Sequence, residues 1–343
     1  MRIGERIKHA ITIFTRWVEL YPWRFTIALL VIITSILMVS EPAWFIAAVD
    51  SMRIPYAVFL VAFITFFFIR SNYALTTAGV LALLILAPGI WPYFKTSAET
   101  PLEKKQESAK ETKGADFSVL HFNVKENNKH ILSVAQSAII SDADIVSMQE
   151  LKESSFSVVD TMMLKSYPYT LSDLSIKGFG LAVYSKYPII EKKIITEHGF
   201  PILTGKIKIK DHTINFISAT TSTPTNDAGY QKQIKQFKLI GEIVKQTEGP
   251  IILMGDMNAV PWSEQVKKLL EETKLKDSRK DLAATYPAQS PLQIPIDYIF
   301  HSPNIYCQKF STIAGTSSNH LGIIGYYDFE RKKSKEGIKD IIR

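Results

Sequence analysis

The 343-residue sequence predicts an α/β protein, two packed mixed β-sheets flanked by helices, behind an N-terminal three-helix membrane anchor. Three observations predict it. Phe25–Ser40 carries no charge, and from Ile54 to Phe94 the only charge is Arg70. From Asp116 onward, short β-rich runs alternate with amphipathic ones. Lys206–Ile209 and Thr213–Ser218, joined through Lys210–Asp211, read as a hairpin, which argues against a purely parallel sheet.

Residues 1–94 read as the anchor, with spans expected at 21–40, 54–70 and 72–94. A spanning helix needs about 20 apolar residues, so the first two runs reach full length when Arg24 and Arg70 extend to the interface. Tyr21, Trp23, Trp44, Tyr56, Tyr73, Trp91 and Tyr93 stand where the interfacial belts belong. No small-residue cleavage site follows Phe25–Ser40, which argues against a signal peptide. Five basic residues precede the first span, whereas the Glu41–Arg53 loop holds only Arg53 against Glu41 and Asp50. The positive-inside rule then places the N-terminus in the cytoplasm and, after three crossings, the rest of the chain on the extracytoplasmic side.

Residues 95–115 form a polar linker of alternating charge with too little apolar surface to build a core. Within 116–330, strands are expected at Phe117–Phe122, Ile145–Met148, Gly180–Tyr184, Lys206–Ile209, Thr213–Ser218, Ile251–Met254, Asp297–His301 and Leu321–Tyr326. Helices are expected at Asn128–Ile140, Ser154–Leu164, Ala228–Lys245 and Ser263–Glu271. Residues 331–343 are a basic tail.

The net charge of +7 suggests nucleic acid until its location is noted. Residues 1–24 hold +3 and 331–343 hold +4, while 116–330 carries 22 basic against 23 acidic side chains. A domain that neutralises several phosphates of DNA normally carries a basic excess, so nucleic acid is disfavoured as a partner. The single cysteine, Cys307, excludes an intramolecular disulfide and reads as a small core residue. His9, His121, His130, His198, His212 and His301 lack metal-ligand spacing and read as packing or surface residues. Of these, His121, two residues before Asn123, is the strongest exception.

Polar residues recur at the ends of apolar strands: Asn123 closes FSVLHFN, Gln149 and Glu150 close DIVSMQE, Asp256 and Asn258 close IILMGDMN, Asp297 opens DYIF, and His320 sits in SSNHLG. Each alone is an ordinary cap, turn or surface group. Five in one domain form a pattern suited to hard-cation phosphate chemistry, which needs oxygen ligands, an amide donor and a histidine fixed by a carboxylate.

DIVSMQE, GDMN, IDYIF and SNH, in that order, resemble the endonuclease/exonuclease/phosphatase superfamily over about residues 116–327. GDMNAVPWS, ATYPA and IPIDYIFHS resemble, more narrowly, the membrane-anchored bacterial VanJ-like group. The resemblance implies a four-layered α/β sandwich and a divalent ion, Mg²⁺ or Mn²⁺. It implies metal ligation by Glu150, with Asn123 and Asp256 at or near the ion. Asp256 is also implied to orient the attacking water, and Asn258 to bond a phosphoryl oxygen. His320 is implied as base or phosphate-stabilising imidazole, its tautomer fixed by Asp297. The chain departs from the pattern twice. Asn319 stands where aspartate often precedes the last histidine, and Thr220, by its spacing to Pro224, takes the place of a common histidine. Both are expected to face phosphate without supplying charge or a proton shuttle. A lost general acid matters least when phosphate itself leaves, so the expected substrate is a lipid-linked pyrophosphate or activated diester at the outer membrane face. The alternatives are a catalytically silent relative that binds phosphorylated ligands, and an extracytoplasmic nuclease. No obligate protein partner is expected.

Overall fold

The computed structural model describes residues 11–38 (14 and 17 apart), 43–94, 114–314 and 317–329. The expected linker up to residue 113, the tail 331–343 and the last two residues of the first expected span lie outside the described residues. The chain divides into two compact units, one of N-terminal helices and one α/β unit.

The helical unit comprises α1 (Ile11–Leu20), α2 (Pro22–Met38), α3 (Trp44–Asp50), α4 (Arg53–Ile69) and α5 (Tyr73–Ile90), the last continued by a 3₁₀ turn, Trp91–Phe94. At about 1.5 Å per residue, the 22 apolar-rich residues Tyr73–Phe94 are long enough to cross a bilayer core of about 30 Å. The 17 residues of α2 and of α4 fall short alone. Each continues a neighbour through a bend, 108° from α1 to α2 and 54° from α3 to α4, so the apolar helices amount to one span or up to three. Helix α3 occupies much of the expected Glu41–Arg53 loop. Contacts within the unit are specific. Tyr56 Oη lies 3.1 Å from Thr34 Oγ1, tying α4 to α2. Gly79 lets α5 approach α4, since a Cβ there would sit 2.8 Å from Ile64 Cγ1. Arg53 pairs with Asp50 at 2.6 Å, and its guanidinium packs over Gly89.

Among the described residues the α/β unit has two six-stranded sheets. Sheet A runs β11-β12-β1-β2-β4-β3, with β1 (Phe117–Asn123), β2 (Ile145–Leu151), β3 (Tyr169–Asp173), β4 (Gly180–Ser185), β11 (Ile305–Ile313) and β12 (Gly322–Phe329). Sheet B runs β5-β6-β7-β8-β10-β9, with β5 (Ile189–Ile195), β6 (Ile202–Ile209), β7 (His212–Ala219), β8 (Ile251–Asp256), β9 (Lys276–Asp277) and β10 (Asp297–His301). The same plan governs both. Each sheet is antiparallel except for its central pair, β1–β2 or β7–β8. A parallel pair requires a crossover, supplied by α6 (Ile131–Ser141) and by α8 (Asp227–Gln246). Helices α7 (Glu153–Met163) and α9 (Glu264–Thr273) complete the set. The β6–β7 hairpin turns at Lys210, whose φ is 51°.

Three apolar clusters give the layers. Phe117, Val119, Ile145, Phe216, Met254 and Ile299 fill the space between the sheets. Val134, Ala138 and Val159 pack α6 and α7 on the outside of sheet A, and Phe237, Ile240 and Leu269 pack α8 and α9 on the outside of sheet B. The fold is therefore the four-layered α/β sandwich that the sequence predicts.

Candidate active site

Strand side chains alternate faces with period two, and that alternation builds the site. On β1, Phe117 and Val119 point into the inter-sheet core, and the next two residues of the same parity are His121 and Asn123. Likewise Ile145 is followed by Ser147 and Gln149, Phe216 by Ser218, and Met254 by Asp256. Strand β10 runs antiparallel to β8, so its first residue, Asp297, pairs with Asp256. The inter-sheet layer is apolar over most of its length and polar at one end, the carboxyl end of both central parallel pairs.

At that end the two sheets are joined through side chains. Asn123 Nδ2 donates to Glu150 Oε1 at 2.9 Å and to Asp256 Oδ2 at 3.0 Å. His320 Nδ1 lies 2.9 Å from Asp297 Oδ2, and its Nε2 is 3.8 Å from Asp256 Oδ2. Asp256, Asp297 and His320 offer ligand atoms all within 4.8 Å of one another. Asn123, Asp256, Asp297 and His320 are buried, whereas Glu150 is half-buried. Glu150 owes its place to a bulge: the β2–β4 register shifts between Gln149 and Leu151, and Glu150 has φ 60°. The extra residue re-aims the side chain, and Glu126 N–H donates to its Oε2 at 3.3 Å.

Asn258 and Thr220 serve the loop beside Asp256. Asn258 N–H donates to Asp256 Oδ1 at 2.9 Å; its side-chain amide donates to Thr221 O and accepts from Thr223 Oγ1. Thr220 Oγ1 donates to the Asp256 carbonyl at 2.9 Å, which commits its only proton. Asn319 adjoins His320, with Ser318 Oγ 3.5 Å from its Oδ1. The Tyr286 ring packs on the His320 imidazole, centroids 4.8 Å apart.

Three further residues contribute: Ser318, which the sequence reading passes over, and Gln149 and His121, which it notes without assigning a role. Gln149 donates from Nε2 to Ala219 O at 2.8 Å and accepts the Asp256 N–H on Oε1 at 2.9 Å. Ser318 Oγ donates to Asn123 O at 2.8 Å and accepts His320 N–H at 3.1 Å. His121 Nε2 lies 3.4 Å from Asp297 Oδ1. The signal for Gln149 and His121 was their inward parity.

The charges perturb one another. Burial and then the Asp297 carboxylate push Asp256 up to about 7. Burial opposes charge on Asp297 too, but His320 and His121 beside it hold its carboxyl well below the usual range. Burial disfavours an imidazolium at His320, yet Asp297, Asp256 and Glu150 outweigh it and raise the group to about 9. A divalent cation suits this set. Its donors are hard carboxylate oxygens.

Residues 120–320 match the family model described as Endonuclease/Exonuclease/phosphatase family. Among solved structures, the chain is similar to an endonuclease/exonuclease/phosphatase from Beutenbergia cavernae DSM 12333, at 17% identity and TM-score 0.51 over 62% of this chain and 71% of that one. It is similar to a mannosyl-6-phosphatase from Bacteroides thetaiotaomicron VPI-5482, at 18% and 0.53 over 62% and 100%. It is also similar to D. rerio TDP2 complexed with single strand DNA product, at 15% and 0.54 over 62% and 98%. At these identities the likeness is one of fold. No curated protein matches the sequence. The family match spans more than half of the 343 residues and contains every residue of the polar seam between the sheets, and on that basis the chain belongs to the endonuclease/exonuclease/phosphatase family.

Proposed function

We propose that the chain is a membrane-anchored, divalent-metal-dependent phosphoesterase of the VanJ-like kind. It hydrolyses a phosphodiester or pyrophosphate bond of a lipid-linked phosphate at the outer membrane face. Residues 1–94 are the anchor, 95–115 the linker, 116–330 the extracytoplasmic catalytic domain and 331–343 a basic tail. The observation that carries the chemistry is the meeting of Glu150, Asp256 and the Asp297–His320 pair at one end of the inter-sheet layer.

Glu150 and Asp256, with Asn123 between them, hold Mg²⁺ or Mn²⁺ in this reading. When bound, the ion offsets charge developing on the phosphoryl oxygens. Asp256 Oδ2, the oxygen that faces His320 Nε2 at 3.8 Å, orients the attacking water. His320, fixed at Nδ1 by Asp297, presents a protonated Nε2 to a phosphoryl oxygen. The balanced charge of 116–330 and the apolar N-terminal helices support a lipid-linked substrate over DNA. A second reading, a silent relative that binds phosphorylated ligands, is favoured by Thr220 and Asn258, whose side-chain polar atoms serve their own loop.

The test is phosphate release from a polyprenyl pyrophosphate by the full chain in detergent, with Mg²⁺, Mn²⁺ or chelator, beside Glu150→Gln and with plasmid DNA in parallel. Release that needs the ion and is lost in Glu150→Gln is expected. Turnover of DNA alone makes the chain a nuclease. Ion binding without turnover of either substrate makes it the silent relative.

A further inference from the structure

We propose that His121 is a positioning residue, which holds the far oxygen of Asp297 and so fixes the direction in which His320 presents Nε2. The inference rests on the reading of Asp297–His320 as the working pair. Its basis is a line of buried groups that crosses between the sheets twice. Ser218 Oγ on β7 lies 2.9 Å from Ser147 Oγ on β2. Ser147 Oγ lies 3.3 Å from His121 Nδ1 on β1. His121 Nε2 lies 3.4 Å from Asp297 Oδ1 on β10. Asp297 Oδ2 meets His320 Nδ1 at 2.9 Å. All five residues are buried.

Hydrogen-bond accounting gives this line one direction. An ionised carboxylate only accepts, so the two imidazole nitrogens that face Asp297 must both carry hydrogen. With hydrogen on Nε2 facing the carboxylate, His121 Nδ1 is free to accept from the Ser147 hydroxyl, which in turn accepts from Ser218. The opposite tautomer sets the Nε2 lone pair against Asp297 Oδ1 and leaves two buried acceptors facing each other. His121 Nε2 and Asp297 Oδ1 form no hydrogen bond by strict geometry, yet they are buried, complementary and opposed. Buried polar atoms without a partner are uncommon enough to call for an explanation. Here it is a long contact from the His121 Nε2 hydrogen to the Asp297 oxygen that His320 does not engage. Asp297 is thus clamped by one imidazole at each oxygen, and its carboxylate plane, which sets the aim of His320, is fixed from behind.

Two measurements on the full chain test this. The first compares His121→Leu, which fills the space without a donor, with His121→Gln, whose side-chain amide can still donate to Asp297. Expected is a fall of about 10–100-fold in kcat for the leucine variant, with KM and thermal midpoint little changed, and recovery of most of that loss in the glutamine variant. Equal kinetics in the two variants, or losses that follow the thermal midpoint alone, overturn the proposal. The second reads the ¹⁵N shifts of labelled histidines in the wild-type chain, with His121 assigned by its disappearance from the variants. A protonated Nε2 and an accepting Nδ1 are expected, and an unprotonated Nε2 overturns the proposal. Wild-type protein that turns over no phosphoester refutes the proposed function, whereas the nitrogen spectrum judges His121 regardless of turnover.

Discussion

Gln149 and Asp256 stand on different sheets and are joined by a hydrogen bond from the Asp256 amide to the Gln149 side-chain oxygen, 2.9 Å long. The other end of the same side chain donates to Ala219 O. Gly255 makes the approach possible: a Cβ there would fall 1.7 Å from that carbonyl and 2.6 Å from Gln149 Nε2. Gln149→Ala is expected to leave a buried N–H and a buried C=O unpaired, at about 1–3 kcal/mol each. Equilibrium denaturation would show the loss, and a variant as stable as wild type would mean that the sheets are held without this strut.

Divalent cations are expected to raise the thermal midpoint more at pH 8 than at pH 6. Asp256 is pushed up to about 7 by burial and by Asp297, so at the lower pH the ion must displace its proton. At a hundredfold excess over Kd the stabilisation is about 2.7 kcal/mol. Asp256→Asn should remove most of the shift and its pH dependence, as thermal scans with Mg²⁺ or Mn²⁺ would show.

His301 offers a separate pH signature away from the polar seam. Burial, then Lys276, lowers it to about 4 from its usual 6.5. Between those values the unfolded chain binds a proton that the folded chain refuses, so stability falls as pH drops through that window. The contribution is about 3 kcal/mol across the full range. His301→Gln should flatten the curve of stability against pH between about 4 and 6.5, and an unchanged slope would refute the assignment.

In the helical unit, Arg53→Leu removes the 2.6 Å partner of buried Asp50. Breaking such a pair costs about 3–5 kcal/mol, whereas replacing both charges with apolar groups costs far less. Unfolding of the full chain in mixed micelles should therefore rank Asp50→Leu/Arg53→Leu above Arg53→Leu alone. The reverse ranking would show that the two charges act separately.

The sequence disclosed the centre of each sheet and missed its borders. Central strands carry apolar residues on both faces, as in FSVLHFN and IILMGD, and these were legible. The four strands absent from the sequence reading, β3, β5, β9 and β11, are the four sheet edges. An edge strand pairs on one side only and tolerates charge, so IIEKKII in β5, exposed along most of its length, carries no clear strand signal. At the site, Asn123, Glu150, Asp256 and Asp297 were visible as polar residues at the ends of apolar runs, and His320 through the SNH motif. The meshing of Gln149 and His121 across sheets was not, since pairing between inward faces depends on how the sheets stack. The bulge at Glu150 leaves no mark in composition either.

The chain leaves sheet A after β4, builds all of sheet B, and returns to sheet A only with β11 and β12. His320 stands just before β12, which covers the open side of β1. On the ribosome, Asn123, Glu150 and Asp256 are therefore made well before the histidine that completes their set. At about 5–20 residues per second, the stretch from Asp256 to His320 takes roughly 3–13 s to synthesise. Through that interval the nascent chain holds the acidic residues without His320, and β1 lacks its partner β12. The strand that closes the sheet arrives directly behind the missing histidine, so the complete polar seam and the finished fold are acquired in one step.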